Sequence, residues 1–134
     1  MTGNSILLDT SIVIELFKGN TKISSHLGDR QIVDIPYVVL AELLLGAYRS
    51  SNTLKHLSQI NNFVKRCNIV SADASTADVY AQAKAGLLRK GKPIPENDIW
   101  IAAIALQYNL VLVTLDKHFQ EVEGLLTESW NPNN

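Results

Sequence analysis

Four short apolar segments alternate with longer helix-like segments along the chain. Each short segment is rich in β-branched residues or leucine, is bounded by polar or turn-forming residues, and has the length of a buried strand. They occupy residues 6–8, 32–35, 69–70 and 110–114. Apolar runs of this kind are typical of parallel strands covered by helices on both faces. The pattern therefore predicts four strands in the interior of the protein.

The segments between these strands carry apolar residues at spacings of three and four, which predicts helices. The first helix starts after Asp9, with Thr10 or Ser11 near its cap, and stops at Gly19. The later helices are predicted over residues 20–27, 37–49, 52–66, 73 or 75 to 90, and 98–108. Ser75 and Asp78 resemble a capping box for the fifth helix. The sixth is almost wholly apolar, so we expect it to be deeply buried.

Strands that alternate with helices are usually parallel, because each crossover returns the chain to the same end of the sheet. We therefore predict an α/β fold, a three-layer α/β/α sandwich around a central, mostly parallel sheet. No repeat, linker or low-complexity tract divides the sequence, so residues 1–134 are predicted to form a single domain. In such folds, functional residues collect in the crevice beyond the carboxyl ends of the strands.

The charge balance and the cysteine content exclude several classes of protein. The chain has 134 residues, with 12 Lys and Arg against 13 Asp and Glu and a formal net charge of −1. This balance excludes a polybasic binder held by bulk charge. The single cysteine, Cys67, cannot form an intramolecular disulfide or a cysteine–histidine zinc cage. Because signal-peptide and bilayer-spanning patterns are also absent from the sequence, we expect a cytoplasmic protein without a membrane partner.

Four acidic residues lie at the ends of apolar strands or within apolar helices, and each has an ordinary structural interpretation. Asp9 ends the first strand, where an N-cap would look the same. Glu42 lies in an apolar helix that would bury its carboxylate, unless the side chain reaches solvent or an arginine. Asp98 opens the last helix, where it complements the helix dipole. Asp116 follows the last predicted strand, as a turn aspartate would.

Taken together, these acids can converge at one edge of a parallel sheet. Carboxylates packed close together repel and raise one another's pKa values, and a divalent cation resolves that conflict. Oxygen ligands without cysteine or paired histidine favour Mg²⁺ or Mn²⁺ over zinc. A site of this kind serves phosphoryl chemistry, so we predict phosphodiester hydrolysis. Asp34 and Asp73 also lie near strand ends, and we interpret them as a strand-edge residue and a helix cap.

The four acids belong to short motifs with a characteristic order and spacing. The motifs are Asp9-Thr10-Ser11 after a strand, Leu40-Ala41-Glu42-Leu43 with Gly46 following, Asn97-Asp98 leading into Ile101-Ala102-Ala103, and Thr114-x-Asp116-x-x-Phe119. Together they resemble the PIN-domain superfamily, and within it the VapC-like toxin ribonucleases of type II toxin–antitoxin pairs. The resemblance covers nearly the whole chain, from Asp9 to Leu125.

This resemblance implies a Mg²⁺- or Mn²⁺-dependent endoribonuclease that is the toxin of a toxin–antitoxin pair. Water would attack the scissile phosphate, leaving a 5′-phosphate and a 3′-hydroxyl. The implied catalytic and metal-binding residues are Asp9, Glu42, Asp98 and Asp116, of which Asp9 and Asp98 would bind metal most directly. Such toxins are commonly homodimers held inactive by a small antitoxin, and residues 12–17 and 43–48 are candidate contact surfaces or core. The alternative is a catalytically silent PIN-like module that binds RNA or protein, and retention of all four acids argues against it.

Polar residues beside the acids are expected to orient the carboxylates; they are Thr10, Ser11, Asn97 and Thr114. At His118 the chain departs from many relatives, which carry another acid there. This departure leaves the number of metal ions open and makes His118 a candidate phosphate contact. Further candidate contacts with RNA are Arg89, Lys90, Lys92 and Lys117. The first three also have a structural interpretation, because cations at a helix C-terminus complement its dipole.

Overall fold

The computed structural model describes residues 5–28 and 32–133, and a central sheet runs through them. Its strands are β1 Ile6–Leu8, β2 Val33–Pro36, β3 Cys67–Val70, β4 Val111–Val113 and β5 Thr127–Glu128. They lie in the order β3-β2-β1-β4-β5, and every neighbouring pair is parallel. The predicted α/β fold is confirmed, and the described sheet is wholly parallel.

Helices flank the sheet and connect most of its strands. Within the described ranges they are α1 Thr10–Phe17, α2 Thr21–Leu27, α3 Tyr37–Arg49, α4 Thr53–Val64, α5 Ala74–Lys90 and α6 Glu96–Gln107. A short 3₁₀ helix, Lys117–Glu121, follows β4. The helix α5 packs against α6, which also contacts β4, while α3 packs against α4, β2 and β3. These contacts form the helical layers of the predicted sandwich.

The core lies around the central strands and α6. The residues of β1 are buried, and so are Ile99 and residues 101–105 of α6. The predicted deep burial of the last helix is therefore confirmed. The helix α6 is apolar on nearly every side, so it is stable only when neighbouring elements cover several of its faces. Each aliphatic side chain that is removed from water in this way stabilises the fold by about 1.5–3 kcal/mol.

The strand at the edge beside β4 was not predicted from the pattern. The strand β5 has two residues, and it pairs through the backbone N–H of Thr114, which donates to the carbonyl of Glu128 at 3.0 Å. Two residues are too few to show a period, so hydropathy cannot reveal such a strand. The bounds of β1 match the prediction, and those of β2, β3 and β4 differ from it by one or two residues, as at β3, which begins at Cys67.

The start of α5 differs from the predicted capping box. Asp73 is the N-cap, and its Oδ1 accepts from the Thr76 backbone N–H at 3.1 Å while Thr76 Oγ1 accepts from the Asp73 N–H at 2.9 Å. The Ser75–Asp78 pair was therefore wrong, because the helix begins at Ala74 and places its third residue at Thr76. The interpretation of Asp73 as a helix cap is confirmed.

The C-terminal segment packs against α2 and the residue that caps this helix. Trp130 is buried and its ring stacks on His26 with ring centroids 5.0 Å apart. The side chain of Asn20 donates to the carbonyl of Pro132 at 3.1 Å. No helix in the described part of the chain is long and apolar enough to cross a membrane. The predicted single domain also includes residues 1–4, 29–31 and 134, which lie outside the described residues.

Candidate metal centre

The carboxyl ends of β1 and β4 lie side by side and place two acids at one edge of the sheet. Leu8 is in register with Val113, and the Asp9 backbone N–H donates to the Val113 carbonyl at 3.2 Å. Asp9 and Asp116 therefore leave adjacent strands in the same direction. This is the edge where parallel α/β sheets bind ligands.

Asp9 is buried and held by hydrogen bonds on both carboxylate oxygens. Its Oδ1 accepts from Ser11 Oγ at 2.6 Å and from the Ile12 backbone N–H at 3.2 Å, and its Oδ2 accepts from Thr114 Oγ1. The bond from Ile12 makes Asp9 the N-cap of α1. The structural and chemical interpretations of Asp9 are thus compatible, because one oxygen caps the helix while the carboxylate stays at the sheet edge.

Ser11 and Thr114 connect the first acidic loop to the last one. Ser11 Oγ accepts from the Leu115 backbone N–H at 3.1 Å, and Thr114 Oγ1 accepts from the Asp116 backbone N–H at 2.9 Å. The bond between Leu115 and Ser11 and the bond between Thr114 and Asp9 each join residues more than one hundred positions apart. They fix the loop after β4 against the start of α1, which sets the position of Asp116 relative to Asp9.

Glu42 lies on α3 and is only partly buried, so its side chain reaches solvent, as one of the two interpretations allowed, whereas a helix apolar on every side would have buried it. The difference arises because α3 exposes other apolar side chains, including Leu45 and Tyr48, rather than covering every face. Thr10 Oγ1 donates to Glu42 Oε1 at 2.6 Å. This bond ties Glu42 to the first turn of α1, directly beside Asp9.

Asp98 and Asp116 lie close to each other and to a histidine, His118. One ligand atom from each of Asp98, Asp116 and His118 lies within 4.8 Å of the other two. Asp116 caps the 3₁₀ helix, with its Oδ1 accepting from the His118 backbone N–H at 2.9 Å. His118 Nδ1 also lies 2.9 Å from the same Oδ1.

The electrostatics show that the four acids act on one another. Burial, followed in order by the negative charges of Asp116, Glu42 and Asp9, raises the pKa of Asp98 to about 6. Burial also raises the pKa of Asp9, against the opposing effect of its hydrogen bonds, and the charge of Asp116 adds to the increase. All four carboxylates therefore contribute to one negative centre.

The donors of this centre fit a divalent cation. Four carboxylates and one imidazole are hard or intermediate ligands, and such sets suit Mg²⁺ or Mn²⁺ better than a thiolate-seeking metal. The chain's only cysteine does not contribute, because Cys67 lies on β3 and burial raises its pKa to about 11. A cation would also relieve the repulsion that raises the pKa of Asp98.

The predicted flanking and basic residues occupy varied positions. Asn97 is exposed, and its side chain has no hydrogen-bond partner among the described residues. Lys92 and Lys117 are exposed, and Lys117 directly follows Asp116. Lys90 Nζ lies 3.5 Å from Glu121 Oε1, and Arg89 lines a cavity together with Glu121.

An apolar groove adjoins the acids, and it is lined in part by the two segments, residues 12–17 and 43–48, that were predicted as contact surfaces or core. It has a volume of about 350 Å³ and shares Thr10 and Glu42 with the acidic centre. Its other lining residues come from three helices and are Ile14, Phe17, Lys18, Leu43, Gly46, Ala47, His56, Gln59 and Ile60. The amphipathic pattern of the sequence predicts the helices, but it does not predict how they are spaced around a groove.

The family model of the PIN domain matches residues 6–125 of the chain. The chain belongs to the PIN-domain family. Among relatives of this PIN domain, ribonuclease VapC1 of Haemophilus influenzae strain R2866 is 33% identical over 130 residues, which cover 92% of this chain and 96% of the relative. The tRNA(fMet)-specific endonuclease VapC of Shigella flexneri is 37% identical over 98 residues, covering 72% and 74% of the two chains.

Solved structures resemble this PIN domain over nearly its whole length. The DNA-bound VapBC complex of Salmonella typhimurium contains a chain with a TM-score of 0.90 and 28% identity, covering 95% of this chain and 98% of that one. VapBC-1 of nontypeable Haemophilus influenzae gives a TM-score of 0.84 at 30% identity, covering 93% and 97%. The predicted membership of the PIN superfamily, close to the VapC ribonucleases, is confirmed.

Proposed function

We propose that this single PIN domain is a Mg²⁺- or Mn²⁺-dependent endoribonuclease and the toxin of a toxin–antitoxin pair. The observation that carries the proposal is the position of four acids at the carboxyl edge of the sheet. Asp98 and Asp116 have ligand atoms within 4.8 Å of each other, Asp9 follows the strand that pairs with β4, and Thr10 ties Glu42 to the turn after Asp9. The similarity to VapC ribonucleases over most of the chain supports RNA as the substrate. The silent-module alternative lacks support, because a module that only binds RNA has no need of four crowded acids.

Each residue of the centre has a defined part in this proposal. Asp9 and Asp98 would hold the cation most directly, with Glu42 and Asp116 completing its surroundings. When bound, the cation would orient the phosphate and offset charge that develops on the leaving oxygen. Ser11 and Thr114 would orient Asp9 through the bonds to its two oxygens, and these bonds favour the ionised carboxylate against the effect of burial. Thr10 occupies one oxygen of Glu42, which leaves the other free to orient a water molecule.

Basic side chains around the centre would neutralise RNA phosphates. Lys92, Lys117 and Arg89 are exposed, and they suit the weak, salt-dependent contacts that position a nucleic acid. Lys90 already pairs with Glu121, so its contact with RNA would have to compete with that carboxylate. We therefore expect Lys92 and Lys117 to contribute more to RNA binding than Lys90.

The test of the proposal is cleavage of a labelled RNA by purified protein, beside Asp9→Asn and the control Asp34→Asn. Asp34 lies on β2 and accepts from Asn68 Nδ2 at 3.0 Å, apart from the acidic centre. We expect metal-dependent cleavage that yields 5′-phosphate ends, retained in Asp34→Asn and reduced at least about 100-fold in Asp9→Asn. RNA binding without cleavage by the wild-type protein would support the silent module instead.

We also propose that the cognate antitoxin inserts apolar side chains into the groove beside Glu42. The groove is mostly apolar, and a partner that fills it would lie against an acid of the centre. A side chain at Gly46 would project into this space, because a Cβ there meets nothing within 4 Å. The Gly46→Phe variant should therefore resist inhibition by the protein encoded directly upstream, while Ala81→Phe on the exposed face of α5 should not. Equal inhibition of both variants would show that the partner binds elsewhere.

The proposal further includes a homodimer acting in the cytoplasm, where its RNA substrate would be found. Leu45, Tyr48 and Leu54 are 57%, 66% and 81% exposed and do not line the groove, so they are available to a second copy. Sedimentation measurements on the wild-type protein and on Leu54→Glu test this part. A wild-type monomer would refute the dimer without affecting the nuclease.

A further inference from the structure

His118 adds a nitrogen donor to a centre that otherwise consists of carboxylates. It shares one cluster with Asp98 and Asp116, in which a ligand atom of each lies within 4.8 Å of the other two. Atoms that ligate one first-row ion at about 2.0–2.2 Å lie within roughly 4.4 Å of each other. The imidazole is therefore close to ligating distance, and its side chain is 63% exposed.

The local backbone keeps the imidazole at this position. Asp116 Oδ1 accepts from the backbone N–H of His118 at 2.9 Å and lies 2.9 Å from His118 Nδ1. The bond from the backbone N–H thus keeps His118 beside Asp116 in every conformation of the histidine side chain. With Nδ1 directed at Asp116, the other ring nitrogen is available as a donor.

We propose that His118 is a nitrogen ligand of the metal site and shifts its preference from Mg²⁺ towards Mn²⁺ and the later first-row ions. This inference rests on the proposed function, since it assumes that the acidic centre binds a divalent cation. Mg²⁺ binds oxygen donors and loses its water reluctantly, whereas imidazole is an ordinary ligand of transition metals. An acid at this position would instead add a fifth negative charge, which favours a hard cation such as Mg²⁺.

Two other roles of His118 have different consequences. A histidine that only donates to Asp116 would orient that carboxylate, and a histidine that only contacts phosphate would act when RNA is present. Neither role brings a ring nitrogen onto the ion. A direct measurement of nitrogen coupling to the metal, made without RNA, separates ligation from both.

The experiment is pulsed electron paramagnetic resonance of the Mn²⁺-loaded protein, which detects ¹⁴N coupling from a bound imidazole. The variants are His118→Ala and the acid-restoring His118→Asp, with His56→Gln as the control, because His56 lines the groove that shares Glu42 with the centre. We expect ¹⁴N coupling in the wild-type protein and in His56→Gln, and none in the two His118 variants. In His118→Asp, the preference for Mn²⁺ over Mg²⁺, measured by competition, should fall at least about tenfold.

The outcomes that overturn the proposal are distinct from those that overturn the proposed function. Mn²⁺ binding without ¹⁴N coupling, coupling that survives in His118→Ala, or an unchanged preference in His118→Asp each refute ligation by His118. In those cases the acidic centre still binds metal, and Asp98→Asn should still weaken that binding. Failure of the wild-type protein to bind Mn²⁺ at all would refute the metal-dependent function together with the role of His118.

Discussion

Replacing Asp98 with asparagine is expected to stabilise the metal-free protein while weakening its response to metal. Asp98 is half-buried in the first turn of α6, and burial together with the charges of Asp116, Glu42 and Asp9 raises its pKa to about 6. The ionised carboxylate is therefore unfavourable in the folded protein at neutral pH. Asparagine keeps the shape of the side chain and removes the charge.

The magnitude follows from the difference between the folded and unfolded pKa values of Asp98. A rise from 3.8 to about 6 corresponds to about 3 kcal/mol of lost stability at neutral pH. Screening by solvent around a half-exposed group reduces this to about 1–2 kcal/mol. The pKa of Asp98 is higher in the folded protein than in the unfolded chain, so its ionisation lowers the stability by the full amount above about pH 6. This destabilisation shrinks as the pH falls towards the pKa of the unfolded chain, and it disappears below that pKa.

The assay is urea-induced unfolding in a chelator, at about pH 7.5 and about pH 4.5. We expect Asp98→Asn to exceed the wild-type free energy of unfolding by about 1–2 kcal/mol at the higher pH and by clearly less at the lower one. The control is Asp78→Asn, an exposed acid of α5 that accepts from Gln82 Nε2 at 2.9 Å, for which we expect a change within about 0.5 kcal/mol.

Addition of metal should reverse the order of the two proteins. A cation at one hundred times its dissociation constant stabilises the wild-type fold by about 2.7 kcal/mol, whereas Asp98→Asn should gain much less. The reasoning is refuted if Asp98→Asn is less stable than the wild type in chelator at neutral pH. It is also refuted if the difference between them does not change with pH.

Three further substitutions test other contacts of the structure. Ser11→Ala removes the bonds from Ser11 to Asp9 and from Leu115 to Ser11. It should lower the free energy of unfolding by about 1–3 kcal/mol in urea titrations, and an unchanged value would contradict the bridging role of Ser11. Thr10→Val removes the donor to Glu42 and should weaken Mn²⁺ binding about 10–100-fold in a spectroscopic titration. A variant that binds Mn²⁺ as tightly as the wild type would contradict a role of Thr10 in orienting Glu42. Trp130→Ala should lower the free energy of unfolding in urea by about 3–5 kcal/mol, because Trp130 is buried and stacks on His26 of α2. A small loss would mean that the C-terminal segment adds little to the core.

The order of the elements could be predicted because it depends on short-range patterns, whereas the role of the four acids stays a prediction. Buried strands and amphipathic helices have periods that are visible in the chain, and an acid at the end of an apolar run stands out from its neighbours. The position of Asp73 as a helix cap follows from the same local chemistry. Parallel pairing then requires the strand ends to share an edge, which is why Asp9 and Asp116 were expected to meet.

The remaining features depend on contacts between distant residues. Ser11 was predicted only as a polar neighbour of Asp9, yet it also accepts from the backbone of Leu115. The two-residue strand β5 owes its existence to pairing with β4 rather than to its own sequence. The groove beside Glu42 arises from the spacing of α1, α3 and α4, which side-chain periodicity alone does not determine.

The central claim is that the acidic centre hydrolyses RNA with the help of a divalent cation. Its most direct test is the single-turnover rate of cleavage of one labelled RNA by the wild-type protein and by Asp98→Asn, each in chelator and with Mg²⁺ or Mn²⁺. We predict that wild-type cleavage disappears in chelator, returns when the metal is restored, and is at least about 100-fold slower in Asp98→Asn. Equal rates with and without metal, or equal rates for the two proteins, would contradict the claim.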